Sequence, residues 1–310
     1  MRRVAAVDIG TNSTRLLVAD LDGMGRDAKL VTVDRRTQIT RLGQGVDRSR
    51  RLHPDAIERT VAVLRTYREV IDDLGAIEVG ATATSASRDA ENRDEFFEAV
   101  ESTLGTAPQL LSGEREAEIE FLGATAACAE LGPYLVVDIG GGSTEYIAGG
   151  DTPSGLCSID IGCVRLTEQY LHSDPPTPEE LSQAVSVVRD HLADVDRLVP
   201  QAATARTVIG TAGTVWTLAA IELGIDQAER DRIDRFRLTR QAAEDVFRTL
   251  ATEPLERRRH NPGLDPGRVD VIVGGAIIAV SVLRHWQLDH LLVSEADILD
   301  GLARLLPLGA

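Results

Sequence analysis

One nine-residue pattern occurs twice in this chain, as VDIGTNSTR at residues 7–15 and as VDIGGGSTE at residues 137–145. In each copy an apolar, strand-like run leads into an aspartate, Asp8 or Asp138, and then into a loop of small residues. Such a loop can present backbone N–H groups to an oxyanion, and the aspartate can hold a cation beside it. The repeat therefore predicts two phosphate-binding loops, each at the end of a strand.

The order of predicted strands and helices also restarts. The first part of the chain reads as three strands followed by alternating helices and strands, and the same order begins again at Tyr134. Strands that alternate with helices predict mixed sheets covered by helices, so the expected fold class is α/β with two similar domains and a ligand-binding cleft between them. We predict domains at residues 1–125 and 126–310, with the last helix packing back on the first domain.

Composition excludes several classes of function. A net charge of −16 argues against non-specific binding of nucleic acid. No apolar run approaches the ~18 residues of a membrane span, and no signal-peptide pattern precedes the first strand, so a cytoplasmic protein without membrane partners is expected. The three cysteines are widely spaced, as buried thiols in a reducing compartment would be, and the histidines lack zinc-site spacing.

The repeated loops supply most of the candidate site residues. An aspartate at a strand end can simply begin a turn, but two at matched positions favour a shared role in metal binding. Mg²⁺ prefers one or two carboxylates plus phosphate oxygens and water, so the candidate metal ligands are Asp8, Asp138 and Glu145. The candidate phosphate-binding residues of the two loops are Gly10, Thr11, Asn12, Ser13 and Arg15, and Gly140, Gly141, Gly142 and Ser143.

Other strand-to-helix junctions add further candidates. Gly210 and Thr211 begin a small-residue junction that can offer N–H groups to an anion, although it can equally be a tight turn. Arg88 ends a similar junction. The phrase SGEREAE at residues 112–118 opens a helix, where acidic residues are ordinary caps, yet one of its glutamates is suited to positioning a water molecule. Arginines also cluster at residues 35–51 and 257–268, where they are candidate contacts to distal phosphates.

These phrases together resemble the exopolyphosphatase and guanosine pentaphosphate phosphohydrolase (Ppx/GppA) family, in its short two-domain form, within the sugar kinase, Hsp70 and actin superfamily. The resemblance rests on DIGTNSTR, ATSASRDAEN, SGEREA, DIGGGSTE, GTAGT and DVIVGGA, which follow the family's order along essentially the whole chain. It implies two ribonuclease H-like, actin-type domains and an active site in the cleft. It also implies a homodimer.

The resemblance further implies hydrolysis of a terminal phosphate with Mg²⁺ or Mn²⁺ as cofactor, and it assigns the catalytic base to Glu116. Arg115 departs from the family, which usually has a second glutamate there. The implied substrate is inorganic polyphosphate or pppGpp. Polyphosphate, expected to be of short chain length, is favoured because no guanine pocket can be recognised in the sequence. A kinase or ATPase of the superfamily and an actin-like scaffold are the alternatives, and the Glu116 phrase favours water as the phosphate acceptor.

Overall fold

In the computed structural model, which describes residues 1–307, the first copy of the repeat folds into a β-hairpin. The first unit contains residues 1–127 and the chain from residue 296, and the second contains residues 128–295. The sequence boundary was expected two residues earlier, between 125 and 126. Residues 296–307, which the sequence assigned to the second domain, fold with the first unit, and their helix packs on its sheet.

The elements of the first unit follow the predicted order. They are β1 (Arg2–Ile9), β2 (Ser13–Asp22), β3 (Lys29–Ile39), α1 (Val46–Ser49), α2 (Pro54–Leu74), β4 (Glu78–Ala83), α3 (Ser85–Asp89), α4 (Arg93–Leu104), β5 (Gln109–Leu110), α5 (Gly113–Ala126) and α13 (Ile298–Leu305). The sheet order is β3-β2-β1-β4-β5; β1, β2 and β3 pair antiparallel, whereas β1, β4 and β5 are parallel. The sheet is therefore mixed, as predicted.

The second unit repeats this arrangement. Its elements are β6 (Tyr134–Ile139), β7 (Thr144–Gly149), β8 (Pro153–Ile159), α6 (Cys163–Tyr170), α7 (Pro178–Leu198), β9 (Thr207–Thr211), α8 (Ala212–Leu223), α9 (Arg230–Ile233), β10 (Arg237–Thr239), α10 (Arg240–Thr252), α11 (Leu255–Arg258), α12 (Ile272–His285) and β11 (His290–Val293). The sheet order is β8-β7-β6-β9-β11-β10, so its first five strands match those of the first unit. The antiparallel edge strand β10 is an addition.

The continuous apolar run of β1 is explained by burial on both faces of the sheet. Ala5, Val7 and Ile9 pack with α2 and α4, whereas Val4 and Ala6 pack with α5 and α13 on the opposite face. In the second unit, alternate residues of β6 pack with α7, α8, α10 and α12. No helix within residues 1–307 is long and apolar enough to cross a membrane.

Several helix boundaries differ from the sequence predictions. The sequence pattern predicts one helix over residues 87–104 and another over residues 114–130. The first is instead two helices, α3 and α4, and between them the side chain of Asn92 bonds the backbone N–H and C=O of Leu52 at 2.8 and 3.1 Å. These contacts, with a residue 40 positions away, end one helix and begin the next. Helix α5 ends at Ala126 instead of near residue 130, and the short elements α1, α6, α9, α11 and β10 were not expected.

Helices α5 and α13 cross at two glycines. A Cβ atom added to Gly123 would lie 1.7 Å from the carbonyl oxygen of Asp297, and one added to Gly301 would lie 1.9 Å from that of Ile119. Both neighbours are backbone atoms, which cannot swing aside as a flexible side chain can. The crossing therefore requires glycine on both helices.

We expect Gly301→Ala to destabilise the protein by about 1–3 kcal/mol or more, because overpacking against backbone forces the two helices apart. Urea unfolding followed by circular dichroism measures the change. Gly150→Ala is the matched control, since nothing lies within 4 Å of its added Cβ and its φ is not positive. An equal midpoint for the two variants would contradict the close crossing.

Candidate active site

The candidate residues of the first unit gather at one edge of its sheet. Ile9, Ala83 and Leu110 are neighbours at the carboxyl ends of the parallel strands β1, β4 and β5. Three segments leave from this edge: the loop 10–12, helix α3 with Arg88, and the segment leading to α5 with Glu116. The carboxyl edge of parallel strands is the usual ligand-binding edge of an α/β sheet.

Loop 1, residues 10–13, is a tight turn closed by a hydrogen bond from the Gly10 N–H to the Ser13 carbonyl at 3.0 Å. Its carbonyls turn toward the segment after β3: Thr11 O accepts from Gly43 N, and Asn12 O accepts from the N–H groups of residues 40 and 41. The Nδ2 donor of Asn12 is buried and, within residues 1–307, has no hydrogen-bond partner. A buried donor of this kind suits an anionic acceptor.

Asp8 ends β1 and lies opposite Arg15 of β2. Its Oδ2 accepts from Arg15 Nε at 3.2 Å and Nη2 at 2.8 Å, and its Oδ1 accepts from Thr82 Oγ1 at 3.3 Å. Burial raises the pKa of Asp8 above its usual range, and the charge and hydrogen bonds of Arg15 oppose that rise. Both carboxylate oxygens are thus already engaged by protein groups.

Arg15 also binds Asp297 through Nη1, so its guanidinium spans two buried carboxylates. The sequence suggested Arg15 as a phosphate clamp and Asp8 as a metal ligand. The structure pairs the two with each other beside loop 1, and their phosphate and metal roles stay predictions. This pairing could not be read from the repeat, because Glu145 takes the position of Arg15 in the second copy.

Glu116 lies in the first turn of α5, which is capped by Ser112: its Oγ accepts from Arg115 N at 3.2 Å. The Glu116 side chain is 11% exposed, and its Oε2 accepts from Arg88 Nη1 at 2.6 Å. Arg88 Nη1 also donates to the Leu111 carbonyl at 2.9 Å. Arg88 thus fixes the Glu116 carboxylate at the start of α5.

Arg115, the departure from the family pattern, faces away from this pair. Its Nη1 binds Glu118 Oε2 at 2.7 Å, and both side chains are nearly half exposed. The substitution therefore places its charge at the surface of α5. Ser87, next to Arg88, is a residue that the sequence did not single out; its buried Oγ has no hydrogen-bond partner within residues 1–307.

Loop 2, residues 140–143, has the same turn as loop 1. The Gly140 N–H donates to the Ser143 carbonyl at 3.1 Å, and in both loops a Cβ on the first glycine would approach that carbonyl oxygen to 3.1 Å. The carbonyls of Gly140 and Gly141 accept from the first N–H groups of α6, at 2.9–3.2 Å. Helix α6 thus binds the carbonyl groups of loop 2, just as the N–H groups of segment 40–43 bind the carbonyl groups of loop 1.

Asp138 and Glu145 are directly opposite each other on β6 and β7. Both are buried, at 6% and 1% exposure, and Glu145 Oε1 accepts from Ser158 Oγ at 2.6 Å. Cross-strand partners point to the same face of a sheet, so two carboxylates share one buried place. Within residues 1–307 no three His, Cys, Asp or Glu side chains converge as a metal site.

Gly210 and Thr211 end β9, which is parallel to β6 and beside it in the sheet. Thr211 Oγ1 is fully buried and, among the described residues, unbonded. Ala212 has a φ of 62°, an uncommon conformation for a residue with a side chain that often marks a functional turn. The junction thus has features of a binding loop as well as of a turn.

The arginine clusters serve several purposes. Arg268 lies over the start of α8, with its Nη2 2.0 Å from the place of a Gly213 Cβ. Arg268 belongs to the cluster that the sequence offers as a contact to distal phosphates, and that role stays a prediction. Arg258 is buried and donates to the carbonyls of Leu250 and Val269 at 2.9 and 3.0 Å. Arg258 is therefore structural, whereas Arg48, Arg50 and Arg51 are exposed.

Comparison with known proteins gives consistent matches over almost the entire chain. The model of the Ppx/GppA phosphatase family matches residues 6–303. Exopolyphosphatase 2 of Mycobacterium tuberculosis is 42% identical over 313 residues, covering 98% of each chain.

Solved structures agree with these sequence matches. The crystal structure of an exopolyphosphatase-like protein superposes with a TM-score of 0.91 at 37% identity, covering 98% of this chain and 97% of that one. The crystal structure of the Aquifex aeolicus member of the Ppx/GppA family superposes with a TM-score of 0.81 at 33% identity, covering 98% of this chain and 96% of that one. Fold and sequence are therefore similar over both units.

Proposed function

Because the chain belongs to the Ppx/GppA phosphatase family, we propose that it is an exopolyphosphatase, which releases orthophosphate from the end of inorganic polyphosphate by hydrolysis, with short chains as the preferred substrate. The observation that carries this proposal is the pairing of Glu116 with Arg88 at the sheet edge that also bears loop 1. A base and a phosphate loop at one edge are what hydrolysis of a terminal phosphate requires.

Glu116 acts as the general base. Its carboxylate accepts a proton from the attacking water and holds that water in line with the terminal phosphorus. Arg88 orients the carboxylate before the substrate arrives. When a phosphate binds, Arg88 can also contact its oxygens, because an arginine has five N–H donors and only one nitrogen, Nη1, is engaged by these two oxygens.

The phosphate oxygens are bound by small-residue loops. In the first unit the N–H groups of residues 10–13 and the buried donors of Asn12 and Ser87 take this role. In the second unit residues 140–143 and the junction at Gly210 and Thr211 take it. Fixed donors of this kind stabilise charge that develops on the phosphoryl oxygens.

Asp8 and Arg15 have an indirect role in this proposal. Arg15 is engaged by two carboxylates, and both oxygens of Asp8 accept protein hydrogen bonds. They therefore set the shape of loop 1 instead of clamping phosphate or binding metal directly.

Mg²⁺, with Mn²⁺ as a substitute, would be held by Asp138 and Glu145. The fit is supported by two buried carboxylates directly opposite each other, whose like charges a cation between them would neutralise. Mg²⁺ commonly binds through one or two carboxylates and completes its shell with water and phosphate oxygens. When bound, the ion neutralises phosphate charge; Ser158, bonded to Glu145, orients that carboxylate.

Phosphate release from polyphosphates of defined length, pppGpp and ATP, measured side by side, tests the proposal. We expect the highest kcat/KM on short polyphosphate with Mg²⁺ and loss of activity with EDTA, because polyphosphate charge must be neutralised before water attacks. A higher kcat/KM on pppGpp would make the chain a guanosine pentaphosphate phosphohydrolase. Faster hydrolysis of ATP would favour the ATPase or kinase alternative, and no turnover of any of them would favour a scaffold. The cytoplasmic location and the homodimer stay predictions from the sequence.

A further inference from the structure

We propose that Asp297, at the start of the last helix, is a positioning residue of the reaction, because it joins the helix that carries Glu116 to the strands that carry loop 1. The inference rests on the proposed function, since it assumes that Glu116 and loop 1 act on the same phosphate. Asp297 is 5% exposed and lies 181 residues after Glu116 in the sequence.

The first connection runs through the Asp297 side chain to β2 and β1. Its Oδ2 binds Arg15 Nη1, and the Nε and Nη2 atoms of the same guanidinium hold Asp8 Oδ2 at 3.2 and 2.8 Å. Asp8 is two residues before Gly10, where the turn of loop 1 begins. The carboxylate of Asp297 therefore sets the position of Arg15, and Arg15 sets that of Asp8 and the loop.

The second connection runs through the Asp297 backbone to α5. Its carbonyl oxygen lies 1.7 Å from the place that a Cβ on Gly123 would occupy, and one helical turn later Gly301 meets Ile119 in the same way. Helix α5 carries Glu116 in its first turn. One residue thus contacts both the helix of the base and the ion pair beside the phosphate loop.

The surrounding charges hold Asp297 in this place. Asp297 and Asp300 form a reciprocal capping box at the start of α13, and Arg35 binds both carboxylates, Asp297 Oδ1 at 3.3 Å and Asp300 Oδ2. Each carboxylate oxygen of Asp297 thus has an arginine partner. Burial of both residues keeps these contacts from being screened as surface pairs are.

Removing the charge of Asp297 should lower kcat more than it changes KM. Without the anion, Arg15 loses its ion pair with the last helix, and Asp8 and loop 1 can shift relative to Glu116. A displacement of about 1 Å at a reacting phosphate can cost on the order of 10²-fold in rate. Binding of the rest of a polyphosphate chain does not depend on that distance.

The test compares Asp297→Asn, Arg15→Gln and the double variant with Asp20→Asn in polyphosphate hydrolysis and in thermal unfolding. Asparagine is still a good helix cap. Asp20→Asn is the matched control, because Asp20 pairs with Arg3 across the same two strands at 2.8 and 2.9 Å and at the opposite end of the sheet. We expect Asp297→Asn to lower kcat by roughly 10–100-fold with KM within about threefold, and to change kcat less than about twofold when Arg15 is already glutamine.

A kcat of Asp297→Asn within twofold of wild type, or a loss that multiplies fully with that of Arg15→Gln, would overturn the proposal. Should Asp297→Asn fail to fold, Asp297→Ser keeps a capping oxygen and takes its place. If both unfold while Asp20→Asn folds, Asp297 is a folding residue and the proposal is wrong. Glu116→Gln, assayed alongside, separates the two proposals: normal turnover by that variant contradicts the assigned base, whereas its inactivity beside a fully active Asp297→Asn contradicts only the positioning role.

Discussion

Replacing Glu116 with glutamine is expected to lower kcat for polyphosphate hydrolysis by roughly 10²–10⁴, which is the usual contribution of a general base. Glutamine has nearly the same size, and its amide oxygen can still accept the hydrogen bond from Arg88. The variant should therefore fold normally and bind substrate, yet it cannot accept the proton of the attacking water. Steady-state kinetics with circular dichroism measures both properties.

Glu118→Gln is the matched control for this experiment. It lies in the same helix turn, and its carboxylate pairs with Arg115 at 2.7 Å on the exposed side of α5. We expect that variant to keep kcat within about twofold, because exposed ion pairs contribute little and it contacts no proposed site residue. Equal losses in the two variants would mean that the rate responds to charge on α5 in general, and the role of Glu116 would have to be withdrawn.

The second large effect is expected at the opposed carboxylates of the second unit. Asp138→Asn or Glu145→Gln should lower kcat/KM by about 10²-fold or more and raise the Mg²⁺ concentration needed for half-maximal rate, because a bound metal is worth several kcal/mol of charge stabilisation. Titration of activity with Mg²⁺ measures both changes. Asp160→Asn, an exposed carboxylate at the end of β8, serves as the control and should leave the titration unchanged.

Stability separates a metal site from a purely structural pair. Asp138 and Glu145 are buried carboxylates directly opposite each other on neighbouring strands, where like charges oppose each other. In EDTA, Asp138→Asn should therefore unfold at the same denaturant concentration as the wild type or at a higher one. A clear loss of stability in EDTA together with an unchanged Mg²⁺ titration would show that these carboxylates serve the fold and not a cation.

Much of the architecture follows from local patterns in the chain. The repeated strand-turn-strand phrases predict two mixed sheets, and the observed orders β3-β2-β1-β4-β5 and β8-β7-β6-β9-β11 are the same arrangement. Local patterns did not predict the helix boundaries that depend on contacts with residues distant in sequence. The break between α3 and α4 depends on Asn92 bonding the backbone of Leu52. Helix α6 begins where Gly162 packs on Gly141: a Cβ added to Gly162 would lie only 2.5 Å from the Gly141 carbonyl oxygen.

The candidate site divides in the same way. Turn geometry is local, so the matched phrases were enough to predict that both loops would close in one manner, as the 3.0 and 3.1 Å hydrogen bonds show. The partners of the charged side chains were not predictable. Arg15, expected to bind phosphate, holds Asp8 and Asp297 in this structure. Arg88, expected to clamp substrate, also holds Glu116.

From its residue order alone, this chain specified two α/β units, an aspartate and a tight loop after the first strand of each, and a helix that begins with acidic residues. These features depend on side-chain periodicity and turn chemistry, which act between near neighbours. Which cation meets which carboxylate was decided only by the tertiary structure, because the partners are far apart in the chain: Arg15 and Asp297 are 282 residues apart, and Arg88 and Glu116 are 28 apart. Packing of α13 on α5 brings Arg15 and Asp297 together. The region of loop 1 thereby gains the carboxylate of Asp297, which lies outside the repeated sequence.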